Sequence, residues 1–142
     1  MSEFSCLLDC FAFALDTTSG NLIHLLKHDG SEIIHPDLPE PFCRRGFDVF
    51  ELMNAAITFF RPLHCTLLLR EITHSNMMTV DRPKLLNLDL TSKWFVSKRP
   101  IVAMTNNHAV VCKEGQVIFD PRTKFKLSFD EVKATHQAIV VF

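Results

Sequence analysis

The stretch HAVVCKEGQVIFDP, residues 108–121, constrains this chain more than any other. Apolar runs flank Lys113, Glu114 and Gly115, which is the pattern of a β-hairpin. Its register decides what the two ends can do. A two-residue turn at Glu114 and Gly115 pairs Lys113 with Gln116 and sends His108 and Asp120 to opposite faces. A three-residue loop over Lys113, Glu114 and Gly115 ends on a glycine in the left-handed conformation. Cys112 then opposes Gln116, Val110 opposes Ile118, and His108 opposes Asp120, with Cβ atoms roughly 5 Å apart. The three-residue register is the expectation, because it sets Gly115 where positive φ is needed. A carboxylate in that place holds an imidazole in one tautomer and one orientation.

A thiol is the natural complement to such a pair, and the N-terminal run SCLLDCFAFAL, residues 5–15, offers one. Asp9 is a capping residue, and a helix opening at Cys10 carries Phe11, Ala14 and Leu15 on one face. A cysteine in the first turn of a helix has its thiolate favoured by the helix dipole, and free backbone N–H groups beside it. Those groups also suit a developing oxyanion. Nucleophile, base and orienter are then Cys10, His108 and Asp120.

The rest of the chain supplies a scaffold. Asn21 is read as the cap of a short helix running through Leu26 and stopped by His28, Asp29 and Gly30. Residues 35–46, with three prolines, read as an extended loop. Asp48 and Glu51 make a capping-box pair before a helix over 49–60, which Pro62 ends. Residues 65–72 read as a buried strand, and 73–93 as loop with a short strand or turn near 85–90. From Trp94 onward the pattern is β: a strand over 101–104, the hairpin, and a last strand over 138–142. Ser128 and Glu131 bracket a capped helix over 129–134. Helices lead and strands follow, so the expectation is an α+β domain spanning residues 1–142, with helices on an antiparallel sheet.

Composition removes several function classes. The net charge of −1 gives no electrostatic reason for a nucleic acid or an anionic membrane as partner. Five irregularly spaced cysteines argue against a disulfide framework and for a reducing, cytoplasmic setting. The N-terminal run carries Asp9 and lacks a basic start and a cleavage pattern, so it does not read as a signal peptide. Zinc is disfavoured. No C-x-x-C occurs, and His108 and Cys112, four apart in a strand, are separated by roughly 13 Å. Four glycines are too few for a phosphate cradle. No cofactor or metal is expected. His24, His28, His35, His64, His74 and His136 are scattered and receive no role. Cys10, His108 and Asp120 each have a bland alternative as core thiol, strand histidine and strand-ending turn residue. The order of the three carries the catalytic reading.

DCFAFAL around Cys10, RPIVAMTNNHAVV around His108, and Asp120-Pro121 followed by KLSFDEV together resemble the papain-like cysteine peptidases. They are most similar to the double-glycine leader peptidases and their relatives. The resemblance covers residues 9–15 and about 99–142. It implies a papain-like fold in which Cys10 is the nucleophile, His108 the general base, and Asp120 the residue that orients His108. It further implies a peptidase acting on a protein or peptide substrate through an acyl-enzyme. One departure stands out: the family places a Gln upstream of the cysteine, whereas Phe4 precedes Cys10 by six residues and residues 1–9 hold neither Gln nor Asn. Two alternatives follow: a silent papain-like domain that binds a partner protein, or a thiol acyltransferase.

Overall fold

The computed structural model describes residues 5–60, 65–70, 88–105 and 108–142. In chain order the elements are helices α1 (Cys6–Ala14), α2 (Ser19–Leu26) and α3 (Val49–Ala55), then strand β1 (Thr66–Leu69) and helix α4 (Leu88–Trp94). Strands β2 (Ile101–Met104), β3 (Ala109–Lys113) and β4 (Gln116–Phe119), helix α5 (Phe129–Thr135) and strand β5 (Ala138–Val141) follow. The strands form one sheet in the order β1-β5-β2-β3-β4, every pair antiparallel. The protein is therefore α+β with an antiparallel sheet, as its sequence leads one to expect.

Period-two alternation splits the apolar runs between two faces. Val102, Val111 and Val140 point into a cluster with Leu8, Cys10 and Phe11 of α1, Leu22 of α2 and Leu52 of α3. Ile101, Ala103, Val110, Cys112, Ile139 and Val141 point the other way, against Phe95 and Val132. The central strands read as unbroken apolar runs because both faces are covered. The half-buried side chains of β1 fit its place at the sheet edge.

Several boundaries differ from expectation, each for a local reason. α1 begins at Cys6, not Cys10, with Ser5 at the cap position. Asp9 does not cap it: its carboxylate sits inside the helix and accepts from Ser5 Oγ (3.2 Å) and Ser19 Oγ (2.7 Å). α2 is capped by Thr18, whose Oγ1 accepts the Asn21 N–H at 3.1 Å; Asn21 is therefore a first-turn residue, not the cap. α3 carries the expected box, with Glu51 Oε2 accepting the Asp48 N–H at 2.9 Å. Beyond Ala55 it loosens into a π-helical turn over Ala56–Phe60. Residues 88–94 are helical, not loop. Pro62, the part of the expected 65–72 strand beyond Arg70, and residues 85–87 of the short strand or turn expected near 85–90 lie outside the described residues. The helix at 129 and the final strand match expectation within one residue, Ser128 Oγ accepting the Glu131 N–H at 3.2 Å.

The hairpin register is the most informative correction. Lys113 pairs with Gln116 and Cys112 with Val117, so the turn has two residues, not three. Glu114 (φ 54°) and Gly115 (φ 77°) both lie in the left-handed region, as a primed two-residue turn requires. A non-glycine residue tolerates that conformation here because the turn is docked. The Glu114 N–H donates to the Ser97 carbonyl and the Gly115 N–H to the Phe95 carbonyl, each at 2.9 Å. By itself this register would separate His108 from Asp120. A β-bulge intervenes: Val111 pairs with Phe119, leaving Ile118 as an extra residue on β4. The bulge reverses the alternation, so Val117 packs with one cluster and Phe119 with the other. His108 and Asp120 are returned to one side.

Candidate active site

The pair forms where β3 begins and β4 ends. His108 Nε2 and Asp120 Oδ1 are 2.7 Å apart, with side chains only 1% and 4% exposed. Three backbone or ring donors fix the carboxylate. Oδ1 also accepts the Arg122 N–H at 3.0 Å, and Oδ2 accepts the Leu127 N–H at 2.9 Å. Burial by itself raises a carboxyl pKa. Here the Arg122 and Leu127 amides and the His108 ring outweigh it, and Asp120 is held below its ordinary value. With Asp120 ionised, the proton on the imidazole sits at Nε2 and the basic lone pair at Nδ1. His108 is steadied through its backbone as well, its carbonyl accepting from Thr105 N–H (2.8 Å) and Thr105 Oγ1 (3.2 Å).

α1 lies across this end of the hairpin. Phe13 stacks on Phe119, ring centroids 4.6 Å apart and planes within 10°. Cys10 belongs to the same core cluster as Ala109 and Val111, the residues that follow His108 on β3. All three expected site residues therefore gather in one region, but not with the properties expected of Cys10. It is the fifth residue of α1, beyond the first turn whose N–H groups are left without helical partners. The oxyanion donor expected from its amide is thus committed to the helix. Its side chain is fully buried. Burial raises the thiol well above its ordinary pKa, and the nearby Cys6, Asp9, Asp120 and Cys112 raise it further. Cys112 and Cys65 are raised by burial too, to about 12 and about 11.

Two features escaped sequence reasoning. The first is that Cys6, not Cys10, opens α1. The signal was present, since Ser5 is as good a cap as Asp9. Nothing in the pattern showed that Asp9 would be occupied by two hydroxyls. The second is another histidine–carboxylate pair, His28 Nε2 to Glu51 Oε1 at 2.6 Å, with the His28 ring stacked on Phe47. Its partners are 23 residues apart on separate elements, and no periodicity links them. Among the described residues, no group of three or more His, Cys, Asp or Glu side chains is placed to hold a metal ion. Nor is any helix there long and apolar enough to cross a membrane. Compared with family models, curated proteins and solved structures, the chain matches none of them.

Proposed function

We propose that this protein is a papain-like thiol hydrolase, most simply a peptidase, with His108 as general base and Asp120 as its orienter. The observation that carries the reading is the buried His108–Asp120 hydrogen bond beside the cysteine-bearing helix α1. A carboxylate held by two backbone amides has little freedom to turn away from the ring, so the imidazole is aimed before any substrate arrives. In the first step the thiol proton passes to His108 Nδ1 while sulfur attacks the scissile carbonyl carbon. The amide C–N bond then breaks, and the imidazolium gives its proton to the leaving amine. Water cleaves the resulting thioester. It loses one proton to His108 as its oxygen joins the acyl carbon, and that proton returns to the departing sulfur. The sum is one peptide bond and one water converted to an acid and an amine.

A second reading, a silent domain that binds a partner protein, is favoured by one observation: the complete burial of Cys10, with the carboxyl groups of Asp9 and Asp120 nearby. Turnover of a fluorogenic peptide library separates the two. The hydrolase reading expects activity in the native protein and a loss of about a thousandfold in His108→Ala. No turnover by the native protein across the library favours the binder, and equal turnover by His108→Ala overturns His108 as the general base.

A further inference from the structure

We infer that residues 121–126, which leave the sheet at Asp120, form a docking loop for an acidic peptide segment that carries an apolar side chain. Docking needs no turnover, so it goes beyond the hydrolase reading and holds equally for a silent domain.

Charge is the first observation. Arg122, Lys124 and Lys126 put three cations into five residues, and no Asp or Glu occurs from residue 121 to residue 129. The whole chain carries −1, so with this +3 set aside the remainder carries −4. The loop is a positive island on a negative molecule. Arg44 and Arg45 pair with Glu40 and Glu32, but among the described residues none of the three loop cations forms an ion pair. Even Asp120 takes the backbone N–H of Arg122 and not its guanidinium. The next carboxylates along the chain, Asp130 and Glu131, lie in the first turn of α5, where Glu131 accepts the Ser128 N–H.

The shape of the loop is the second observation. One carboxylate holds both ends, Asp120 Oδ1 accepting the Arg122 N–H at 3.0 Å and Oδ2 the Leu127 N–H at 2.9 Å. A loop closed in this way is ordered before it meets a ligand, which lowers the cost of binding. Between those ends Lys124, Phe125 and Lys126 are exposed. Phe125, 87% exposed, is the most exposed large apolar side chain among the described residues. Its φ of 55° lies in the left-handed region, which residues other than glycine enter at a cost. Backbone strain and an apolar ring in water are both retained here, and neither serves the core. An aromatic ring between two ammonium groups suits an apolar side chain with carboxylates on either side of it.

The class of partner follows from size and sign. A few carboxylates on an extended peptide match the footprint of three cations. A nucleic acid or an anionic membrane presents charge far beyond the loop and meets the negative remainder of the molecule. Because the loop starts at the carboxylate that aims His108, a peptide docked on it lies next to the His108–Asp120 pair.

Fluorescence anisotropy of tetramethylrhodamine-labelled peptides, titrated with the full chain, tests the assignment. The probe has glutamates on both sides of a central leucine, and its counterpart has glutamines in their place. The native protein should bind the glutamate peptide about tenfold more tightly or better, with affinity falling as salt rises. Lys124→Glu combined with Lys126→Glu should weaken binding about tenfold or more, and Phe125→Ala several-fold. Lys93→Glu combined with Lys98→Glu makes the same change in net charge near the turn of the hairpin, where Phe95 and Ser97 hold Glu114 and Gly115. It should leave affinity nearly unchanged. All five side chains are exposed, and circular dichroism checks that each variant is folded. Equal binding of the two peptides, equal losses in the two double variants, or full binding by Phe125→Ala overturns the docking loop. Single-stranded DNA or phosphatidylserine-containing vesicles, bound more tightly than the glutamate peptide and released by the Lys124 and Lys126 reversals, overturn the choice of a peptide. Each of these outcomes leaves the hydrolase reading to the fluorogenic library.

Discussion

Among the described residues, two histidine–carboxylate pairs have almost equal length and very different situations. His108 and Asp120 are 2.7 Å apart and nearly sealed from water; His28 and Glu51 are 2.6 Å apart, with side chains 11% and 25% exposed. In the His28 pair the two polar atoms outside the mutual bond hold backbone. Nδ1 accepts the Gly30 N–H at 3.1 Å, and the second Glu51 oxygen caps α3 through the Asp48 N–H. That pair clips the loop after α2 to the start of α3. In the other pair the carboxylate is braced by backbone while the ring stands beside a helix that carries two cysteines. A short imidazole–carboxylate bond is thus common to a structural clip and to a proposed catalytic pair. What stands next to the ring distinguishes them.

The largest expected effect breaks this symmetry. His108→Ala should lower peptide turnover by about a thousandfold, while His28→Ala should leave the rate within a few-fold and cost about 1–2 kcal/mol of stability. Steady-state rates and urea unfolding on both variants measure this. Equal losses of activity would mean the two pairs do not differ in kind.

Next in size is Asp120→Asn. An amide has one acceptor oxygen where the carboxylate has two, and its NH2 must then face a donor, either the Leu127 N–H or the Arg122 and His108 groups. Stability should fall by about 1–3 kcal/mol, with activity reduced but measurable, because an amide still orients the ring. The pH dependence sharpens the point. Asp120 is held below its ordinary value of 3.8, so its contribution is fully present above that pH and is lost as pH falls through the lower folded value. Urea midpoints from pH 6 downward should fall more steeply for the native protein than for Asp120→Asn. Parallel curves would contradict the bracing described.

Smaller effects separate the loops. Gly30→Ala places a Cβ 2.7 Å from Phe47 Cε2 at a φ of +75°, so it should loosen the His28 clip and cost about 2 kcal/mol or more. Gly115 has a similar φ, +77°, but no heavy atom within 4 Å of the added carbon. Its replacement by Ala should cost only the conformational term, about 1 kcal/mol. Thermal unfolding of the two variants should rank them in that order.

How much of this was legible in the sequence follows from the range of the interactions. The capping boxes at Asp48 and Ser128, the strands at 101 and 138 and the positive φ of Gly115 are set by neighbours in sequence, and pattern reading found them. His108 and Asp120 were paired correctly, but through the wrong register. The turn's docking on Phe95 and Ser97, and the compensating bulge at Ile118, depend on contacts that no local pattern carries. The start of α1 was misplaced for a similar reason. Asp9 looks like a cap until Ser19, ten residues on, engages its carboxylate. One displaced helix start put Cys10, in place of Cys6, at the expected first turn.

The central claim is that the His108–Asp120 pair activates a thiol on α1, and the rate of thiol alkylation against pH tests it most directly. Iodoacetamide labelling, resolved cysteine by cysteine in the native protein and in His108→Ala, gives the comparison. The account predicts that one cysteine within residues 6–10 reacts fastest near neutral pH and slows at least tenfold when His108 is removed, while Cys43 and Cys65 are unchanged. If the α1 cysteines react no faster than Cys43 or Cys65, or if His108→Ala leaves their rates unaltered, the pair is a structural clip like its counterpart at His28.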